Sequence, residues 1–350
     1  MSSKPVGLDG SGPQRSSSLE GRAAPAEVAA AVDRLVRSSI ELRTDGELTR
    51  ALIAAEKADT LSRRASFPRS GRAEVLCALG AVQYKLGRAG EATATLSLAF
   101  ALVDGDDGQA AVAAEILEWR SRCYRIGRDF AAAALDCERA LGFAEQVGDL
   151  HQLAHVHFQT SLVAERSGDP QHARAEIEQA LTLYEQVDDL LNAGRCRNNL
   201  GGLLFLLGEH EQARTILNEA RAQLESNGHQ AEAGQALNSL AQVELRCGEP
   251  QQALLDSEHA LNLLDNRADF VDETGCAMLI RGRALMELCQ FIDAEQVLLH
   301  AETLFVRIGS LGHQAAAWLA LGDLALRRGD HLGSVPHYRR AAEAMQDVHF

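Results

Sequence analysis

Small side chains return along this chain at a fixed interval, and the larger apolar and polar positions are arranged around them. One column of alanines runs through Ala51, Ala92, Ala133, Ala173, Ala213, Ala253 and Ala294, with Ser334 in the eighth place, at steps of 40 or 41 residues. A second follows seven residues behind it, through Ala58, Ala99, Ala140, Ala180, Ala220, Ala260, Ala301 and Ala341. A third, always small, precedes the first by twelve: Ser39, Gly80, Ser121, Ser161, Gly201, Ala241, Gly282 and Gly322. Three columns in register over eight units predict close helix packing. A side chain of methyl size or less lets two backbones approach while larger neighbours fill the remaining space. Between the third and first columns glycine recurs, as Gly46, Gly87, Gly127, Gly168, Gly208, Gly248 and Gly329. Glycine accepts the left-handed conformation that ends a helix. Each unit is therefore predicted as helix A, a tight turn, helix B and a short connection, about sixteen helices in all, with the alanine columns buried between A and B.

Composition agrees with that pattern. Of the 350 residues 46% are hydrophobic but only 5% aromatic, a mixture that suits helices and starves sheets of their preferred residues. The formal net charge of −15 argues against direct nucleic-acid or anionic-membrane binding. No apolar run approaches the roughly 20 residues that cross a bilayer. Residues 1–24 are rich in Ser, Gly and Pro and read as a disordered leader, not a signal peptide, ahead of an array over 25–350. Seven scattered cysteines without a CxxC pair predict buried or groove thiols in a reducing, cytoplasmic setting. Lysine occurs only three times among 34 basic residues, a bias in keeping with a high-GC bacterial source.

These columns resemble the tetratricopeptide repeat family, which is small at its eighth position, alanine at its twentieth and twenty-seventh, and glycine near its fifteenth. The resemblance covers roughly Pro25 to Phe350. It departs in period, since the family repeats at about 34 residues and the extra residues here lengthen the helices. The long form is similar to repeats in bacterial peptide-sensing regulators, maltose-type transcription activators and kinesin light chains. The seventh unit has Cys289 where the turn glycine belongs, and Pro336 falls inside the last helix B. A proline there removes a hydrogen bond, so that helix is predicted to start late, near Ser334. The implied fold is an all-α, right-handed α-solenoid.

Catalytic signatures are absent, and no cofactor is implied. Gly7 to Gly12 has no strand before it and fails as a phosphate loop. Asp104, Asp106 and Asp107 lack the twelfth-position glutamate of a calcium loop. His151, His155 and His157 could present two imidazoles on one helix face, but no third ligand is evident, so no metal is assigned.

The resemblance implies instead a binding wall built by the A helices. Carried onto this sequence, the wall takes Glu115, Glu118, Arg122 and Arg125, then His155, Phe158, Glu165 and Arg166, then Arg195, Asn198, Asn199 and Phe205. It continues with Gln235, Asn238, Gln242 and Arg246, and ends with Arg283 and Glu287. The amides would grip the main chain of an extended peptide and the arginines its carboxylates. Against this stands a face that merely solvates itself, each Arg paired to a Glu on an adjacent helix. The functional expectation is a non-catalytic protein- or peptide-binding scaffold. Its alternative is the sensory part of a bacterial signalling protein with an attached or docked output, such as a diguanylate cyclase or a DNA-binding domain. Met345, Val348 and Phe350 suggest a C-terminal association surface and a homodimer.

Overall fold

The computed structural model describes residues 25–63, 67–264 and 270–347. The proposed leader, Val348 and Phe350 lie outside them. The described residues form sixteen α-helices and no strand. The A helices are α1 (Pro25–Thr44), α3 (Arg69–Lys85), α5 (Ala110–Ile126), α7 (Leu150–Ser167), α9 (Leu190–Leu206), α11 (Gln230–Cys247), α13 (Val271–Glu287) and α15 (Leu311–Arg327). The B helices are α2 (Leu48–Ser62), α4 (Ala89–Val103), α6 (Phe130–Val147), α8 (Pro170–Gln186), α10 (His210–Ser226), α12 (Pro250–Leu264), α14 (Phe291–Ile308) and α16 (His331–Asp347). The chain is an all-α solenoid of eight helix pairs.

All three small columns are buried. The third column shows why it must be small. A Cβ on Gly80 would lie 2.6 Å from Leu96 Cγ, one on Gly201 2.4 Å from Leu217 Cγ, and one on Gly282 2.5 Å from Leu298 Cδ2. In each unit the leucine sits four residues beyond the first-column alanine, on helix B. Where the third column carries a serine or alanine, the same helix B position usually shrinks too, as in Ser121 with Cys137 and Ala241 with Ser257. A fourth buried column, Ala73, Ala114, Ala154, Gly194, Gly234, Gly275 and Ala315, recurs seven residues before the third. It faces the far end of helix B, since a Cβ on Gly275 would lie 2.5 Å from the ring of Phe305.

The turns follow the expected chemistry with two departures. Gly127 keeps a helical φ of −72° and Arg128 takes the left-handed position at φ 62°. Cys289, at φ 59°, does the same in the unit without a turn glycine. Aspartates cap five helices: Asp129, Asp149, Asp169, Asp189 and Asp330 accept from backbone N–H groups one turn on. Pro336 does not delay the last helix, which begins at His331. The carbonyl that loses its donor belongs to Leu332, a residue 86% exposed, so water can take that bond.

Six of the seven consecutive pairs of A helices pack against one another, α1 with α3, α3 with α5, α5 with α7, α9 with α11, α11 with α13 and α13 with α15. No pair of B helices makes a comparable contact. The array therefore curves with the A helices inside, and they form its inner wall. Among the described residues no helix is long and apolar enough to cross a membrane.

Candidate functional site

Two cavities lie along this inner wall. The N-terminal one, about 650 Å³, draws on α1, α3, α5, α7 and α9. Trp119 lines it with two guanidinium groups against its ring, Arg122 at 4.4 Å and Arg43 at 4.8 Å from the centroid. Such contacts add about 0.5–2 kcal/mol each, depending on desolvation. Arg122 is paired with Glu118 and Arg195 with Glu232, the latter at 2.7 Å. Arg43 and Lys85 have no hydrogen-bonded acid among the described residues. Desolvation, then the charges of Arg122, Arg43 and Arg195, pull the Lys85 ammonium below its usual range. Desolvation and the neighbouring Glu118 push the Glu115 carboxyl up. Arg43, Lys85 and Trp119 were not among the expected wall residues. Arg43 occupies the helical position equivalent to Arg125 and Lys85 the one equivalent to Arg166, so extending the register to the first two units would have found them.

The C-terminal cavity, about 690 Å³, is built by α9, α11, α13 and α15. It gathers Phe205, Gln242, Arg246, Arg283 and Glu287 from the expected wall over an apolar floor of Leu245, Ile280 and Met286. Arg327 is paired with Glu287 across the cavity. Arg246 and Arg283 have no hydrogen-bonded partner among the described residues, and partial desolvation lowers the Arg283 pKa while Asp323 acts against that change.

Other wall positions are used differently from the expectation. Phe158 packs into the core with Ile177 and Leu200. Gln235 donates to Glu273 Oε1 at 2.9 Å and Asn238 donates to the Glu273 carbonyl at 3.0 Å, so both tie α11 to α13. The Oδ1 atoms of Asn198 and Asn238 are sealed from solvent without a partner. Asn199 is half-buried, Arg125 is half-buried with a sealed Nε, and Arg166 is exposed, all outside the two cavities. The amides thus build the wall more than they line it.

Two of the three histidines of α7 come together, the His151 and His155 rings 4.6 Å apart, while His157 turns away, and each has its own partner. His151 pairs with Asp189 at 2.9 Å, His155 Nδ1 meets the Tyr184 hydroxyl at 2.8 Å, and His157 pairs with Glu176 at 2.8 Å. Burial lowers the His155 pKa, with the charge of Glu118 acting against it. A different cluster forms where α13 and α15 begin. His313 Nδ1 lies 2.8 Å from Asp272 Oδ1, and Cys276 Sγ lies 3.7 Å from His313 Nε2. Burial and the adjacent Asp272 and Glu273 push the Cys276 thiol up to about 12.

The sequence and fold were compared with known proteins. Residues 193–266 match the family model described as tetratricopeptide repeat. No curated protein matches the chain in sequence. Among solved structures, a Signal Transduction ATPase with Numerous Domains (STAND) protein with a tetratricopeptide repeat sensor, from Pyrococcus horikoshii, is similar with TM-score 0.63 and 14% identity. That match covers 93% of this chain and 53% of that one. A tetratricopeptide repeat protein from Parabacteroides merdae is similar with TM-score 0.52 and 14% identity over 79% of this chain and 93% of its own. BtubC (BKLC) from P. vanneervenii is similar with TM-score 0.51 and 17% identity, over 68% of this chain and 90% of that one. The family model spans two of the eight units, and the likenesses show that the chain shares the all-α solenoid fold of these proteins.

Proposed function

We propose that this tetratricopeptide-repeat solenoid is a non-catalytic scaffold that binds an acidic, partly apolar peptide segment along its inner wall. One observation carries the reading: Arg246 and Arg283 face an apolar-floored cavity without a hydrogen-bonded acid, in a protein of net charge −15. Asp323 acts on Arg283 through its charge alone, and a ligand carboxylate supplies the forked hydrogen bonds that neither guanidinium makes. Phe205, Ile280 and Met286 beneath them suit a neighbouring apolar side chain. The second cavity, with two arginines against the Trp119 ring, supplies a further anchoring point on the same wall. In a cytoplasmic signalling protein of a bacterium the same wall would serve as the sensor. The likeness to a STAND protein with a tetratricopeptide repeat sensor supports that second reading.

A fluorescent peptide of alternating Glu and Leu, and its Gln and Leu counterpart, test the proposal by anisotropy. The acidic peptide is expected to bind at least tenfold more tightly, and Arg246→Ala with Arg283→Ala to remove the difference with helicity unchanged. Equal binding of the two peptides to the parent protein would exclude carboxylate recognition by this cavity.

We also propose self-association through α16, whose Leu332, Val335 and Met345 are exposed. Light scattering over a hundredfold concentration range is expected to show a dimer that Met345→Asp dissociates. A monomer at every concentration would remove the proposal.

A further inference from the structure

We propose that Asp272, Cys276 and His313 form a zinc-binding site that pins the first turns of α13 and α15 together, with a fourth coordination position open to solvent. The three donor atoms lie within 4.8 Å of one another and come from two successive inner helices. Asp272 and Cys276 are four residues apart and share one face of α13, and His313 reaches that face from the next unit. The set is chemically selective: thiolate, imidazole and carboxylate together suit zinc, whereas magnesium and calcium prefer oxygen alone.

Little movement is needed to close the site. Tetrahedral zinc, with Zn–S near 2.3 Å and Zn–N or Zn–O near 2.0–2.1 Å, places its donors about 3.3–3.6 Å apart. His313 Nδ1 is now 2.8 Å from Asp272 Oδ1 and 4.0 Å from Cys276 Sγ. Opening the first contact and closing the second by roughly half an ångström brings those two pairs to that spacing, and the Asp272–Cys276 pair, within 4.8 Å, closes by about an ångström through side-chain rotation. Local charge favours a cation. Glu273 adds a second carboxylate beside the thiol, and among the described residues Asp272 has no Arg or Lys ion-pair partner. Three protein ligands leave one position for water, as in open zinc sites.

The test uses the full chain, stripped of metal by chelator, with the exposed Cys289 changed to Ser to remove a competing thiol. Calorimetric titration with zinc chloride is expected to show one ion bound per chain, and Cys276→Ser or His313→Gln to weaken it at least tenfold. Cobalt(II) in place of zinc is expected to give tetrahedral d–d bands and a thiolate-to-metal charge-transfer band that vanishes in Cys276→Ser. Absence of stoichiometric binding, or affinity unchanged by Cys276→Ser, would overturn the site. If a variant loses helicity, the cobalt spectrum of the Cys289→Ser protein still decides: an octahedral spectrum without the thiolate band rejects the assignment.

Discussion

Raising the pH from 6 to 9 is expected to cost the protein about 2 kcal/mol through a single carboxyl, Glu244 on α11. Glu244 is 3% exposed and lies close enough to Asp256 of α12 to feel its charge. Burial, then the charge of Asp256, push it up to about 8 from an ordinary 4.5. A raised carboxyl means that the folded state holds its proton more tightly than the unfolded chain does. Its contribution is therefore complete below about pH 4.5 and is lost as pH rises through about 8. Every tenfold gain in proton affinity on folding corresponds to about 1.4 kcal/mol, and relaxation around the ionised pair reduces the full span to the smaller figure. Glu244→Gln keeps the shape and the hydrogen-bonding capacity without the titration. It should flatten the pH dependence of the urea midpoint across that window and leave the variant more stable than the parent at pH 9. Curves that stay parallel from pH 6 to pH 9 would show that Glu244 ionises normally.

What the sequence disclosed, and what it hid, follows from how a repeat encodes contacts. The three small columns were legible because the same helix pair recurs eight times, so one steric requirement is written eight times at one spacing. The fourth column escaped because its occupants, alanine and glycine, do not stand out in an alanine-rich chain. The left-handed residue at Arg128 was hidden because a glycine beside it satisfied the pattern. For the wall, helical register put Arg246, Arg283, Gln242 and Phe205 on one surface, and the structure gathers them in one cavity. Register did not show that Gln235 and Asn238 are engaged by Glu273, nor that Phe158 turns to the core.

A usable signal for such partners was nevertheless present in the numbering. Contacts across neighbouring inner helices fall at separations close to one period: Arg195 with Glu232 at 37, His151 with Asp189 at 38, Asp272 with His313 at 41. Pairing chemically matched residues at those offsets would have drawn Asp272, Cys276 and His313 together from sequence alone. The three histidines of α7 drew attention because they are close in sequence. In a solenoid, spatial neighbours on the wall lie a period away, and that is where ligands converge.

Two adjacent glycines of α9 are expected to respond to alanine with opposite signs. Gly202 has nothing within 4 Å of where a Cβ would sit, and its backbone is helical. Gly202→Ala should therefore gain about 0.5–1 kcal/mol, the usual advantage of alanine in a helix interior. At Gly201 the same methyl would lie 2.4 Å from Leu217 Cγ and 2.5 Å from Cδ2. Leu217 is fully buried on α10, hemmed by the Ala213 and Ala220 columns, and cannot rotate away into solvent. Overpacking of this kind costs about 1–3 kcal/mol, which outweighs the propensity gain and leaves a net loss near 1–2 kcal/mol. Leu217→Ala alone should cost about 2–5 kcal/mol through the cavity it leaves. In the double variant the new methyl occupies part of that cavity, so the combined loss should fall short of the sum of the two single losses by about 1 kcal/mol or more. Urea denaturation of the four proteins at one pH measures all of these quantities. Strict additivity, or stabilisation by Gly201→Ala, would show that the third column is not held small by the leucine of helix B.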